Sequence, residues 1–232
     1  MKKSFFLFVL FFGFQTVQSQ VLISLLFGDK LNSPKIEFGL EGGCNFSTIS
    51  NLDAAEYRTD FNLGFYFDFI LKNPSWAINT GVKVKSAMGA NGLPVYSLNN
   101  AELDAVFMEG TVRRKIQYFN VPIMIKYKFD NNIFLKAGTQ LGLLSRAHDV
   151  FIQDYNGEDV VYKNKIRDKF HVLDAGLAFG LGYRLIRGNG MNLGMQYYYG
   201  LVPILKGESS PNQFNRSLYL TVGIPIGRGK TK

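Results

Sequence analysis

The stretch Thr59-Asp60-Phe61-Asn62-Leu63-Gly64-Phe65-Tyr66-Phe67-Asp68-Phe69-Ile70 decides the fold. Phe61, Leu63, Phe65, Phe67 and Phe69 fall on one parity, and Asp60, Asn62, Gly64, Tyr66 and Asp68 on the other. A period of two is the signature of an extended strand, whose successive side chains point to opposite faces. One face of this strand is wet and the other very apolar.

Working outward, the same period recurs in eight segments: 35–46, 59–70, 76–88, 116–129, 133–146, 170–185, 191–201 and 214–226. Each is 11 to 16 residues long, enough to cross a bilayer at a tilt. The connections run 12, 5, 27, 3, 23, 5 and 12 residues. The short ones carry turn chemistry: Asn73-Pro74, Asp130-Asn131-Asn132 and Gly188-Asn189-Gly190. Short turns alternating with long loops describe an all-β, eight-stranded antiparallel transmembrane barrel, with both termini in the periplasm.

Charge placement supports this reading. Fourteen charged residues lie in the eight segments, and thirteen share the parity opposite the apolar face, Arg216 being the exception. A soluble barrel of lipocalin type would turn its apolar face inward, and a membrane barrel turns it outward. Glycines on the polar parity (Gly138, Gly142, Gly176, Gly180, Gly182) suit a crowded lumen and favour the membrane form. So does a girdle of aromatics near segment ends: Phe46, Phe61, Trp76, Phe119, Tyr127, Phe129, Tyr183 and Tyr199. The lumen should then hold Glu37, Glu41, Asp60, Asp68 and Asp174 against Lys83, Lys85, Lys126, Lys128, Lys136 and Arg184. Asn62, Asn79, Asn120, Gln140 and Gln196 join them. Eight strands leave an interior that side chains fill, so a paired polar plug is expected rather than an ion pathway.

The chain has 232 residues, a formal charge of +8, 24 glycines and one cysteine, Cys44. It is too apolar and aromatic for disorder, and a lone cysteine excludes an internal disulfide framework. Lys2 and Lys3 before the apolar run Phe5 to Phe14, with Val17 and Ser19 at a small-residue cleavage site, read as a signal peptide over 1–19. An N-terminal periplasmic segment over 20–34 follows. Its apolar run Val21 to Phe27 is too short to span and suits either a short helix or an extra strand. The barrel occupies 35–227, and a basic tail, 228–232, carries Arg228, Lys230 and Lys232. Cys44 has the lipid-facing parity and reads as a small wall residue.

The first segment, Glu37-Phe38-Gly39-Leu40-Glu41-Gly42-Gly43-Cys44-Asn45-Phe46-Ser47, resembles the opening of the PorT-like outer-membrane β-barrel family of Bacteroidetes. Asn120-Val121-Pro122-Ile123 leading to Lys126-Tyr127-Lys128-Phe129, and Gly180-Leu181-Gly182-Tyr183-Arg184, resemble it too. The resemblance implies an outer-membrane location in a Gram-negative bacterium. The namesake is linked to protein secretion, so membership of a secretion or envelope-assembly complex is one functional expectation.

Chemistry is sparse. Ser145, His148, Asp149 and His171 gather near the tops of two segments and would supply a rim Ser–His–Asp set, but closeness in sequence does not make a triad. Asp154-Tyr155-Asn156-Gly157-Glu158-Asp159 lacks calcium-loop spacing. No catalytic residue, cofactor or metal is expected, nor a nucleic-acid partner. The four outer loops carry a net −2, so the high charge is not a nucleic-acid signal. Recognition should lie in the long loops 89–115 and 147–169, facing a partner or ligand. Val150 to Ile152 and Val160 to Tyr162 should extend as a hairpin around Asn156-Gly157, dispensable for barrel folding. A monomer anchored in outer-membrane lipid, structural or interactive rather than enzymatic, is the reading that results.

Overall fold

The computed structural model describes residues 33–52, 54–155, 157–185, 190–207 and 211–226. The signal peptide 1–19, nearly all of 20–34, Asn156, most of the Gly188-Asn189-Gly190 turn and the basic tail lie outside the described residues. Nine strands form: β1 (Ile36–Ser50), β2 (Arg58–Ile70), β3 (Trp76–Leu93), β4 (Thr111–Lys128), β5 (Ile133–Tyr155), β6 (Glu158–Lys165), β7 (Leu173–Arg184), β8 (Asn192–Gly200) and β9 (Phe214–Pro225). A short helix, α1 (Ala101–Phe107), lies between β3 and β4.

Eight strands close into a ring. Chain neighbours pair antiparallel, β5 pairs with β7, and β1 pairs with β9 to shut it. The ninth strand, β6, stands outside the ring. The lower part of β5 (Ile133 to Leu143) pairs with β7, and its upper part (His148 to Tyr155) pairs with β6. The hairpin expected around Asn156-Gly157 is therefore present as β5 and β6. It is longer than the sequence reading, reaching Lys165.

The long loops are shorter and more ordered than expected. Segments drawn to 88, from 116 and to 146 follow the apolar alternation, yet the ladders run to Leu93, from Thr111 and to Tyr155. Alternation and hydrogen bonding part company there because the environment changes and bulges shift the side-chain phase while the ladder continues. Below that level the outward face is apolar: Phe61, Ile125, Leu135, Leu141, Leu143, Phe179 and Leu181 are 47–57% exposed. So continuous an apolar belt marks a surface made for a non-aqueous phase. Above it the outward face is polar and the interior apolar. Met88, Ala90, Val112, Ile116 and Phe151 are fully buried there, packed with Phe107, Phe170 and Ile204. The barrel thus has two interiors, a polar one within the belt and a greasy one above it.

Two bulges mark the change. In β3 the pairing with β4 shifts between Lys83 and Ser86. In β5 it shifts at Ser145, which has no partner between Tyr118–Leu144 and Gln117–Arg146. An extra residue flips the phase of everything after it.

Candidate functional site

The lower lumen is built from short-turn ends inward. Glu37 on β1 accepts from Arg184 at 2.7 Å and from the Tyr66 hydroxyl at 3.2 Å, and Asn192 donates to that hydroxyl at 3.1 Å. Asp68 accepts from Lys126 at 2.6 Å and from Asn79 at 2.7 Å. Lys126 also lies 4.3 Å from the Phe134 ring centre. Lys83 meets Glu41 at 3.3 Å, and Lys136 shares the Glu41 field. The Phe134 ring crosses the lumen where Gly182 leaves room, since a Cβ there would collide with it. Around this cluster the remaining space is about 20 Å³, room for roughly one water molecule.

A neutral tier lies above. Gln196 donates to Gln140 at 3.1 Å, and Asn120 donates to the Ser86 hydroxyl at 3.0 Å. Asn215 donates to Asp174 at 2.8 Å and to the Tyr118 hydroxyl at 3.2 Å. Buried Tyr118, Tyr198 and Tyr219 fill the section. In the lower tier three acids, Glu37, Glu41 and Asp68, thus face four bases, Lys83, Lys126, Lys136 and Arg184, and Asp174 lies above them beside Asn215.

Three sequence-predicted members lie elsewhere. Lys85 is on the outer face, because the bulge after Lys83 reverses its direction; its ammonium sits 5.6 Å over the Phe61 ring. Lys128 keeps the lumen parity but is exposed, as the last residue of β4. Asp60 is a rim residue, bonded to Arg58 and, at 2.6 Å, to Lys115 rather than to the lumen bases. Arg146 is exposed through the Ser145 bulge.

The girdle residues stand at two levels. Trp76, Tyr127, Phe129 and Tyr183 sit at the short-turn end, with Trp76 and Tyr127 rings 4.7 Å apart. Phe46, Phe61, Phe119 and Tyr199 sit at the long-loop end, where Arg216 lies 3.6 Å over Tyr199 and donates to the Gly200 carbonyl. That bond explains how the one apolar-face charge is tolerated, at a rim where carbonyls are within reach.

The upper cap holds a cluster that the sequence reading missed. Arg114 forks onto Asp149 at 2.9 and 2.8 Å, Tyr96 donates to Asp149 at 3.1 Å, and Asn164 donates to Tyr96 at 3.0 Å. Burial, and then the Asp149 charge, push the Tyr96 hydroxyl up to about 12. All four residues fall in stretches that read as loop, so only the continued ladder places them together. Asp149 is spent on Arg114 and Tyr96, while alternation sends His148 to the opposite face. His171 is exposed, and Ser145 gives its carbonyl to Arg167 at 3.1 Å. The rim Ser–His–Asp set is not assembled. No group of three His, Cys, Asp or Glu side chains converges among the described residues. Beside the cluster, Val95, Tyr96, Leu98, Phe107, Met108 and Phe151 line an open cleft of about 350 Å³.

A family model described as an outer membrane protein beta-barrel domain matches residues 19–206. The chain belongs to this family. The outer-membrane barrel family sets location and orientation, with the long-loop end outside the cell. The fold is similar to that of Ail from Yersinia pestis, solved with the heparin analogue sucrose octasulfate. That match has 14% identity over 83% of this chain and 99% of that one, at a TM-score of 0.43. It is similar to Neisserial surface protein A, at 13% identity, covering 82% and 96%, TM-score 0.38. OprG from Pseudomonas aeruginosa gives 16% identity, covering 82% and 93%, TM-score 0.37. The sequence matches no curated protein.

Proposed function

We propose that this outer-membrane barrel is a non-conducting interaction protein whose extracellular hairpin binds a protein partner. The observation that carries this is the edge of β6. It pairs with β5 on one side and, among the described residues, ends the sheet order on the other. A free edge offers unpaired backbone groups to an added strand. Val161, Tyr162 and, on the neighbouring cap, Met108 are exposed at 58%, 36% and 70%, well above the membrane belt. Large apolar side chains outside the lipid are a resource for contact. A photocrosslinking residue at Val161 in intact cells should give one discrete adduct, and the same probe at Lys72 in a short turn should give none. Silence at Val161 and Met108 alike would remove this reading.

The resemblance of 37–47 and 120–129 to PorT-like barrels supports a second reading, a component of a secretion or envelope-assembly complex. Purification from solubilised membranes separates the two. A stoichiometric complex that survives detergent favours assembly, and a monomeric barrel with a crosslinkable but dissociable partner favours recognition.

A further inference from the structure

The outward faces of β4, β5 and β6 change character within one rung. Ile123, Phe119, Leu141 and Leu143 are 41–48% exposed and form the top of the apolar belt on these strands. Phe119 pairs with Leu143. The next outward pair is Gln117 with Arg146, then Lys115 with His148, then Arg113 with Val150. β6 adds Lys165 opposite His148 and Lys163 opposite Val150. Arg113, Arg146, Lys163 and Lys165 are exposed, and Lys115 and His148 are half-buried. Asp60 offsets part of the Lys115 and Arg58 charge. The hairpin's own acids, Asp154, Glu158 and Asp159, sit at its tip, away from these rungs.

The Ser145 bulge makes this face. Were Ser145 paired in a regular ladder, Arg146 would point into the barrel and Asp149 out of it. With the bulge, the carboxylate goes inward to Arg114 and the bases go outward. Crowding is also visible at His148, which burial and then Lys163, Lys115 and Arg58 hold below the ordinary histidine range.

At about 3.4 Å of rise per residue, these rungs start roughly 7 Å along the strand above the last apolar pair. A phosphorylated glycolipid has the same order, acyl chains below and phosphates directly above. A soluble anion would have no use for the apolar rungs. We propose that the exposed bases Arg113, Arg146, Lys163 and Lys165 bind the phosphate groups of outer-leaflet glycolipids whose acyl chains lie on Phe119, Leu141 and Leu143. Guanidinium forks suit phosphate geometry, and the ammonium groups add attraction at short range. The inference rests on the orientation fixed by the family and not on the partner edge of β6.

The test uses the purified full chain in neutral detergent, titrated with bisphosphorylated lipid A, dephosphorylated lipid A and inorganic phosphate. The bisphosphorylated lipid should bind at least tenfold tighter than the dephosphorylated one. The combined variant Arg113→Gln, Arg146→Gln, Lys163→Gln, Lys165→Gln should lose about tenfold or more, as removal of several cations near an anionic surface predicts, with Lys72→Gln unchanged. Equal binding of both lipids, or a combined variant within twofold of the parent, would overturn the proposal. Displacement by submillimolar inorganic phosphate would assign the face to soluble anions and overturn it as well. Heat-modifiable gel migration reports whether each variant is folded. If the combined variant is not, Lys163→Gln with Lys165→Gln, both outside the ring, should still weaken lipid A binding severalfold, and no change there rejects the site. Crosslinking at Val161 is read separately, so loss of lipid binding leaves the partner reading standing.

Discussion

At the residue scale the lumen is a set of buried charges that hold each other in place. Lys126 and Asp68 are 2.6 Å apart, with side chains 9% and 6% exposed. Removing one member of such a pair strands the other, at a cost of about 3–5 kcal/mol, whereas replacing both with apolar groups of like size is often neutral. Lys126→Met should therefore lower the temperature of the heat-modifiable gel transition, and Lys126→Met with Asp68→Leu should recover most of the loss. A double variant as unstable as the single one would mean the pair is not the unit. His148 gives a second expectation. Burial first, then Lys163, Lys115 and Arg58, lower its pKa, and Asp149 opposes them. The unfolded chain then takes up the proton before the folded one. The histidine's contribution to stability is complete above its unfolded value, near 6.5, and is lost as the pH falls from there toward the folded value. NMR titration should place His148 below a free histidine, and Lys163→Gln should move it upward. A midpoint at or above the free value contradicts the crowded basic face.

At the scale of the element, the hairpin of β5 and β6 is more structural than its loop position suggests. Phe151 is fully buried, with ring centres of Tyr96 and Phe107 at 5.0 and 5.8 Å. Phe151→Ala should cost about 3–5 kcal/mol of local stability, as large-to-small changes in packed cores do. Hydrogen exchange should show it as faster opening of α1 and the upper β4 amides, with the lower barrel unchanged. Uniform protection throughout would mean the cap has no core of its own. The same element shows what the sequence made legible. Eight strands, their order and the inward parity of Glu37, Asp68, Lys83, Lys126 and Arg184 follow from a period of two over residues in one environment. Lys85 and Arg146 do not, because a bulge is one extra residue with no compositional mark. Arg114, Asp149 and Tyr96 do not either. Above the membrane the inward face becomes apolar, so alternation referred to a lipid-facing surface stops reporting the strand. Deleting Ser145 should remove the bulge and leave the register, with Arg146 still outward opposite Gln117 and Asp149 still inward opposite Arg114. A water-soluble thiol label on Arg146→Cys should react equally with and without Ser145, and loss of labelling in the deletion would contradict the assigned bulge.

On the scale of the whole molecule, the chain's charge is sorted by height. The outer loops sum to −2, yet their bases gather on the β4–β6 face while acids occupy the hairpin tip and the Arg114 cluster. Below the rim, Glu41, Lys126 and Lys136 with Tyr66 and Phe134 line a lumen space of about 20 Å³. The aromatic tier of Tyr118, Tyr198 and Tyr219 and the Phe151 core lie above it. On the proposed non-conducting reading these act as two seals in series, one polar and one apolar. The parent protein in a planar bilayer should show no steady current. Asp68→Ser with Lys126→Ser widens the lower tier and should remain silent, since the apolar core above is untouched. Removing residues 150–162 as well should take away Phe151 and produce steady ionic steps. Current from the lumen variant alone would show that the cap leaks, and silence from the combined variant would show that the tyrosine tier seals the barrel by itself.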